Sequence, residues 1–213
     1  MVMRTQPNKS TNNAQNEQSV HMVIISDASG SMSGQKYEMS KKGILAEYEL
    51  CKSLGYKFSL VEFVQTDKII EKWNLDEQPS FYGALGHYTP LYKTIYTTLN
   101  YLKSLATDER FLIKIFTDGQ NNTEASYLYK CIEIIKECES SGRFTITFSA
   151  YRKDINFIMS TLGIHASNCI AHENTGESVK DIYKESYRKT LEYDQRMKAG
   201  KDVTKGFYKT VTE

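Results

Sequence analysis

The 213-residue sequence lacks the long hydrophobic runs that membrane proteins need. No apolar stretch approaches the roughly eighteen residues of a membrane-spanning helix, and residues 1–19 contain no hydrophobic segment of a secretory signal. We therefore expect no membrane association and a location in the cytoplasm, or in the host cytoplasm if the protein is viral. The 40% hydrophobic and 12% aromatic content is typical of a soluble globular protein.

The sequence also lacks an excess of charge of either sign. Its 27 basic and 26 acidic residues give a formal net charge of +1, which provides no long-range attraction to nucleic acid. Basic and aromatic residues do alternate over residues 183–209, a pattern that can bind nucleic acid. Acidic residues such as Asp181, Glu185 and Glu192 dilute this charge. We instead predict an amphipathic helix that covers the core.

Cysteine is scarce, and its spacing gives no zinc motif. Cys131 and Cys138 lie seven residues apart, which places them on one face of a helix, without a CxxC pair or a nearby histidine. In a reducing compartment disulfides are rare. We predict that all four cysteines are buried structural thiols: Cys51, Cys131, Cys138 and Cys169.

The sequence does contain a regular alternation of strand and helix patterns from residue 20 to residue 198. Residues 1–19 are polar and nearly free of aliphatic side chains, so we predict a disordered tail there. Mainly apolar runs at 20–26 and 111–117 are typical of parallel strands covered on both faces. We therefore predict one domain at residues 20–198, followed by a C-terminal extension at 199–213.

The order of these patterns is typical of a doubly wound α/β sheet. Helices follow most of the strands, but too few residues separate strands 57–64 and 68–73 for a helical crossover. The third strand is therefore predicted to pair antiparallel at an edge. We predict a mostly parallel six-stranded sheet of order 3-2-1-4-5-6 with helices on both faces. Ligands of such sheets bind beyond the carboxyl ends of the strands, where the strand order reverses between strands one and four.

Oxygen-bearing side chains collect at that edge of the predicted sheet. Asp27, Ser29 and Ser31 follow strand one in the run Asp-Ala-Ser-Gly-Ser. Thr89 precedes a helical stretch, and Asp118 follows strand four in Phe-Thr-Asp-Gly. Carboxylate and hydroxyl oxygens are hard ligands, which suit Mg²⁺ or Mn²⁺ better than Zn²⁺. Taken singly, the serines can also be helix caps, and the threonine and second aspartate can be turn residues.

Together, these residues match the motif of a known family. Its pattern is Asp-x-Ser-x-Ser after strand one, a threonine before the second major helix and an aspartate in Thr-Asp-Gly after strand four. On these residues, about 20–198 of the chain resembles the von Willebrand factor A (vWA) domain, with its metal-ion-dependent adhesion site (MIDAS). The resemblance implies that the cation binds directly to Ser29 and Ser31, directly or through water to Thr89, and mostly through water to Asp27 and Asp118.

Two further stretches bear on this resemblance. Met32 and Lys36 also look like the family's entry into its first helix. The family often has small residues, typically glycine, immediately before the site threonine, whereas this chain has His87 and Tyr88. These bulky side chains are predicted to narrow the rim above the metal. His87 is either a contact for the incoming partner or a solvated loop residue.

The resemblance implies a non-enzymatic protein–protein interaction module. An ion with few charged ligands stays electron-poor and can take an acidic group from a partner. Intracellular relatives often act as scaffold or adaptor in assemblies beside AAA+ ATPases, and such an ATPase would here be a separate chain. Two alternatives remain open. One is a Mg²⁺-dependent phosphoester hydrolase. The residues after strand one argue against it, because they form neither a nucleophile elbow nor a glycine-rich phosphate loop. The other is a metal-free structural component of a virion or other assembly.

Overall fold

The computed structural model describes residues 19–65, 68–83, 86–119, 121–123 and 125–209. The disordered tail predicted at residues 1–19 therefore lies, apart from Ser19, outside the described residues. The end of the predicted C-terminal extension, residues 210–213, also lies outside them. Both stay predictions.

A six-stranded sheet runs through the molecule. Its strands are β1 Val20–Asp27, β2 Lys57–Gln65, β3 Lys68–Lys72, β4 Arg110–Phe116, β5 Phe144–Tyr151 and β6 Cys169–His172. They are arranged in the order β3-β2-β1-β4-β5-β6. All neighbours pair in parallel except β3, which pairs antiparallel with β2 at one edge. The predicted sheet order and the antiparallel edge strand are confirmed.

Five α-helices of the described residues cover the two faces of this sheet. They are α1 Gln35–Leu54, α2 Leu91–Ser104, α3 Tyr127–Ser140, α4 Ile155–Leu162 and α5 Gly176–Lys198. Along β1, Val23 and Ile25 pack with α2, α3 and α4, whereas Met22 and Ile24 pack with α1 and α5. Successive side chains of a strand point to opposite faces, so one apolar run supplies both layers of the core. No helix in the described part of the chain is both long and apolar enough to span a membrane.

The four cysteines lie within this core. All are free thiols with buried side chains. Cys131 and Cys138 of α3 belong to the same hydrophobic cluster, as their spacing on one helix face predicts. The prediction of buried structural thiols is confirmed.

The segment after α5 returns to the sheet face that α5 covers. Val203, Phe207 and Tyr208 are buried in one cluster with residues of α1 and α5. The Tyr208 amide donates a hydrogen bond to the Ser167 carbonyl oxygen at 2.9 Å, which holds this segment beside the start of β6. These aromatic rings therefore contribute to the core. The domain boundary predicted at residue 198 stays a prediction.

A charged pair lies inside the core between β4, α1 and α5. The Lys114 ammonium contacts Glu47 Oε1 at 2.8 Å, and both side chains are fully buried. Lys114 also donates hydrogen bonds to the hydroxyls of Ser186 and Thr190. Burial lowers the pKa of Lys114, and the Glu47 carboxylate opposes that shift. The pair ties both helices to the centre of the sheet.

Candidate metal centre

The two aspartates of the predicted site lie at the carboxyl ends of adjacent parallel strands. Asp27 is the last residue of β1, and Asp118 follows the end of β4. Ser26 of β1 is in register with Phe116 of β4. The strand order reverses between β1 and β4. After β1 the chain continues to β2 and β3 on one side of β1, and β4, β5 and β6 then follow on its other side. The fold thus brings these residues to the crevice where doubly wound sheets bind ligands.

A continuous chain of hydrogen bonds joins four of the five predicted metal ligands. The Ser29 amide donates to Asp27 Oδ1 at 2.8 Å. The Ser29 and Ser31 hydroxyl oxygens lie 3.0 Å apart, and the Ser31 hydroxyl donates to Asp118 Oδ1 at 2.7 Å. These bonds hold two hydroxyl oxygens between two carboxylates.

Asp27 is completely buried beneath these hydroxyls. Its Oδ2 accepts a hydrogen bond from the Thr117 hydroxyl at 2.7 Å. Burial raises the pKa of Asp27 to about 6, against the hydrogen bonds from Ser29 and Thr117 and with a contribution from the Asp118 carboxylate. A buried carboxylate with this destabilised charge favours a nearby cation. The sequence assigned no role to Thr117, although it stands in the Thr-Asp-Gly motif.

Thr89 is held at the same end of the sheet by two neighbouring loops. Its amide donates to Asn122 Oδ1 at 2.6 Å, and Asn122 Nδ2 donates to the His87 carbonyl oxygen at 3.2 Å. The Gly30 amide donates to the Gly86 carbonyl oxygen at 2.8 Å, which joins the loop before α2 to the serine loop. Sequence reasoning missed Asn122. An asparagine in the loop after β4 was the available signal for this role, since asparagine side chains commonly form hydrogen bonds with the backbone in turns.

His87 and Tyr88 form an exposed rim next to the buried Thr89. Both side chains are exposed, with Tyr88 at 54% of its maximal exposure, whereas Thr89 is at 5%. The bulky residues that distinguish this loop from the family pattern therefore face solvent. The narrowing of the rim above the metal stays a prediction.

The residues present fit a hard divalent cation. The described residues contain no group of three or more histidine, cysteine or acidic side chains arranged to hold a metal. The centre instead combines two carboxylates with neutral hydroxyls, and the buried Asp27 gives it an unfavourable negative charge. All-oxygen donors of this kind suit Mg²⁺ or Mn²⁺. Ser29, Ser31, Thr89, Asp27 and Asp118 would hold the ion, directly or through water.

We expect Gly30→Ala to weaken divalent-ion binding by about 10–100-fold, the range typical of lost support for metal ligands. A Cβ atom at Gly30 would lie 2.4 Å from the Gly86 carbonyl oxygen, so the serine loop and the loop that carries Thr89 must separate. Gly119→Ala is the matched control, because a Cβ atom there has no neighbour within 4 Å. Titration of both variants with Mn²⁺ checks this result. Equal affinities for the two variants would contradict it.

A scan against protein-family models and a search of curated protein sequences both find no match for this chain. Solved structures, by contrast, share its architecture. Proximal thread matrix protein 1 from the mussel byssus has a TM-score of 0.60 and 14% identity, over 78% of this chain and 47% of its own. The ArnB paralog VWA2 from Sulfolobus acidocaldarius has a TM-score of 0.56 and 19% identity, over 79% and 45%.

Two more similar structures extend this comparison. The pilus adhesin SpaC from Lactobacillus rhamnosus GG has a TM-score of 0.59 and 12% identity, over 82% of this chain and 30% of its own. A further structure of the mussel protein, with a zinc-occupied MIDAS motif, has a TM-score of 0.53 and 14% identity, over 78% and 46%. The chain spans less than half the length of each of these proteins. At this level of identity the similarity shows the fold alone: the chain has a vWA-like α/β fold.

Proposed function

We propose that this chain is a metal-dependent protein–protein interaction module that binds an acidic group of a partner through Mg²⁺, or Mn²⁺, at the candidate metal centre. The observation that carries the proposal is the hydrogen-bonded chain from Asp27 through Ser29 and Ser31 to Asp118, at the crevice of a vWA fold. The zinc-occupied MIDAS motif of the mussel protein supports a divalent ion at this position.

Hydrogen bonding explains how these residues would act. The Ser31 hydroxyl donates its hydrogen to Asp118, so Ser29 is the donor in the contact between the two hydroxyls. One lone pair of Ser31 and both lone pairs of Ser29 then remain to face a cation. Asp27 and Asp118 thus orient the serine ligands, a role typical of groups that lie behind the ligands of a metal. A bound divalent ion would supply an electron-poor centre that accepts a carboxylate oxygen from the partner, because neutral hydroxyls are its direct ligands and the two carboxylates lie behind them.

The surroundings of the centre suit a macromolecular partner. His87 and Tyr88 are exposed beside Thr89, so a partner that brings a carboxylate to the ion meets both side chains. We propose that the module serves as scaffold or adaptor in a cytoplasmic assembly, with a separate AAA+ ATPase or another assembly component as its partner. Similar structures that belong to a matrix protein and a pilus adhesin support a role in protein–protein contact.

The same geometry supports a non-enzymatic role. The Ser29 hydroxyl lies 3.0 Å from the Ser31 hydroxyl, which is not a base able to activate a nucleophile. The two aspartates are committed to the Ser29 amide and to the Thr117 and Ser31 hydroxyls. A phosphoester hydrolase would also need a cradle for the phosphate group. Hydrolysis of a generic phosphoester in Mg²⁺ that is lost in Asp27→Asn would favour the hydrolase alternative.

Retention of the protein on a surface densely coated with peptides tests the proposed function. One peptide is rich in glycine and serine and carries a single glutamate, and its control carries glutamine at that position. We expect the protein to be retained only by the glutamate peptide and only with Mg²⁺ or Mn²⁺, with release by EDTA, since dense display strengthens a weak single contact. Asp118→Ala should abolish retention. Asp181→Ala, which removes an exposed carboxylate on α5, should not.

Retention that survives EDTA, or that is equal for glutamate and glutamine peptides, would contradict a metal-bridged carboxylate. Loss of retention in Asp181→Ala as well as in Asp118→Ala would point to general charge effects.

A further inference from the structure

A lysine lies inside the candidate metal centre, where the sequence motif places only oxygen ligands. Lys36, in the first turn of α1, forms an ion pair with Asp118 Oδ2. The other oxygen of that carboxylate, Oδ1, accepts the Ser31 hydroxyl. Both oxygens of Asp118 are therefore engaged by groups of the chain itself.

This ion pair is shielded from water. The Lys36 side chain is 14% exposed and the Asp118 side chain 1%. Exposed lysine–carboxylate pairs contribute little because water and salt screen them. A pair at this burial is screened much less, so its charge influences any cation that approaches Asp118.

A second acceptor keeps the lysine at the rim of the centre. Lys36 Nζ also donates to Asn174 Oδ1 at 2.5 Å, in the loop just before α5. The ammonium is thus shared between Asp118 and an uncharged amide. It can give up the carboxylate and still keep a hydrogen bond near the centre.

We infer that Lys36 lowers the cation affinity of the centre by competing with the divalent cation for Asp118, and that it favours an anionic ligand group once the cation is bound. This inference rests on the proposed function, because it concerns the same centre. With Lys36, Asp27 and Asp118 charged, the site carries a net charge of about −1, whereas without the lysine it carries about −2. The lysine therefore weakens cation binding. Once a divalent ion is bound, the same lysine leaves a net positive charge, which favours an anionic partner group over a neutral one.

Lys36→Met is the test, because it removes the charge and keeps most of the length of the side chain. Titration with Mn²⁺ alone, at low salt, should show at least about tenfold tighter binding than in the unaltered protein. Lys36→Arg should bind Mn²⁺ like the unaltered protein. Lys41→Met is the matched control on the same helix, because Lys41 pairs with Glu38 on the surface, and it should leave the affinity unchanged.

Lys36→Gln provides a second neutral variant if Lys36→Met does not fold, as judged by circular dichroism and thermal melting. Retention on the glutamate peptide at saturating Mn²⁺ is the second measurement, and it should fall in either neutral variant. Equal or weaker Mn²⁺ binding by the neutral variants would overturn the inference while leaving the metal site intact. Absence of Mn²⁺ binding in every variant and in the unaltered protein would instead overturn the proposed function.

Discussion

Glu47→Ala is expected to lower the free energy of unfolding by about 3–5 kcal/mol, the usual cost of removing one partner from a buried ion pair. The Lys114 side chain is fully buried and pairs with Glu47 at 2.8 Å. Without the carboxylate, the ammonium keeps only the Ser186 and Thr190 hydroxyls as hydrogen-bond acceptors. A change of this size is a large share of the stability of a typical domain. Urea unfolding followed by circular dichroism measures it.

Two controls separate the loss of the pair from the loss of packing. Glu38→Ala removes the carboxylate of an exposed pair on the same helix and should change stability by less than about 1 kcal/mol. The double variant Glu47→Leu with Lys114→Met replaces both charges by apolar groups and should recover most of the stability lost in Glu47→Ala. If the double variant is as unstable as Glu47→Ala, the uncompensated charge is not the cause.

The sheet could be predicted from the sequence because its strands are short, mainly apolar segments separated by helical patterns. β1 and β4 are short and rich in Val, Ile and Phe, which favours parallel strands covered on both faces over helices. The short connection after β2 left only an antiparallel edge position for β3. Strand order then followed from the common order of doubly wound sheets.

The centre could be predicted only in part, because topology brings strand ends together but does not reveal side-chain partners. Asp27 and Asp118 meet because β1 and β4 are neighbours. The roles of Thr117, Asn122 and Lys36 depend on contacts across 33 to 90 positions of the chain. The spacing of neighbouring residues carries no information on such distant pairs. A threonine, asparagine or lysine with a partner far along the chain looks, in the sequence, like the same residue on any surface loop.

The core charge and the C-terminal aromatic residues were missed for a related reason. Lys114 stands in an apolar strand, and its compensation comes from Glu47, 67 positions away. The amphipathic helix predicted over the start of the basic and aromatic pattern is present, with Tyr183 buried, but the burial of Phe207 and Tyr208 was not predicted. A helix that covers a sheet buries one face only, and sequence alone does not show that the following segment folds back onto it.

Mg²⁺ or Mn²⁺ is expected to stabilise the unaltered protein but not Ser29→Ala. A ligand that binds only the folded state at about 100 times its dissociation constant adds about 2.7 kcal/mol. For a chain of this length that corresponds to an increase in Tm of about 5–11 °C. Ser29→Ala removes one hydroxyl from the oxygen set while Ser31 keeps its hydrogen bond to Asp118. Its stability in EDTA should therefore fall by only about 1 kcal/mol.

Thermal melting in EDTA and in a series of metal concentrations measures both quantities. Ser33→Ala is the matched control, because Ser33 is an exposed serine of the same loop that lies outside the predicted ligand set, and it should retain the full increase in Tm. The increase must also grow with metal concentration, since the stabilisation arises from mass action. An equal increase in Tm for Ser29→Ala and Ser33→Ala would place the stabilising ion elsewhere on the protein. In that case the hydroxyls between Asp27 and Asp118 would serve the serine loop and not a metal.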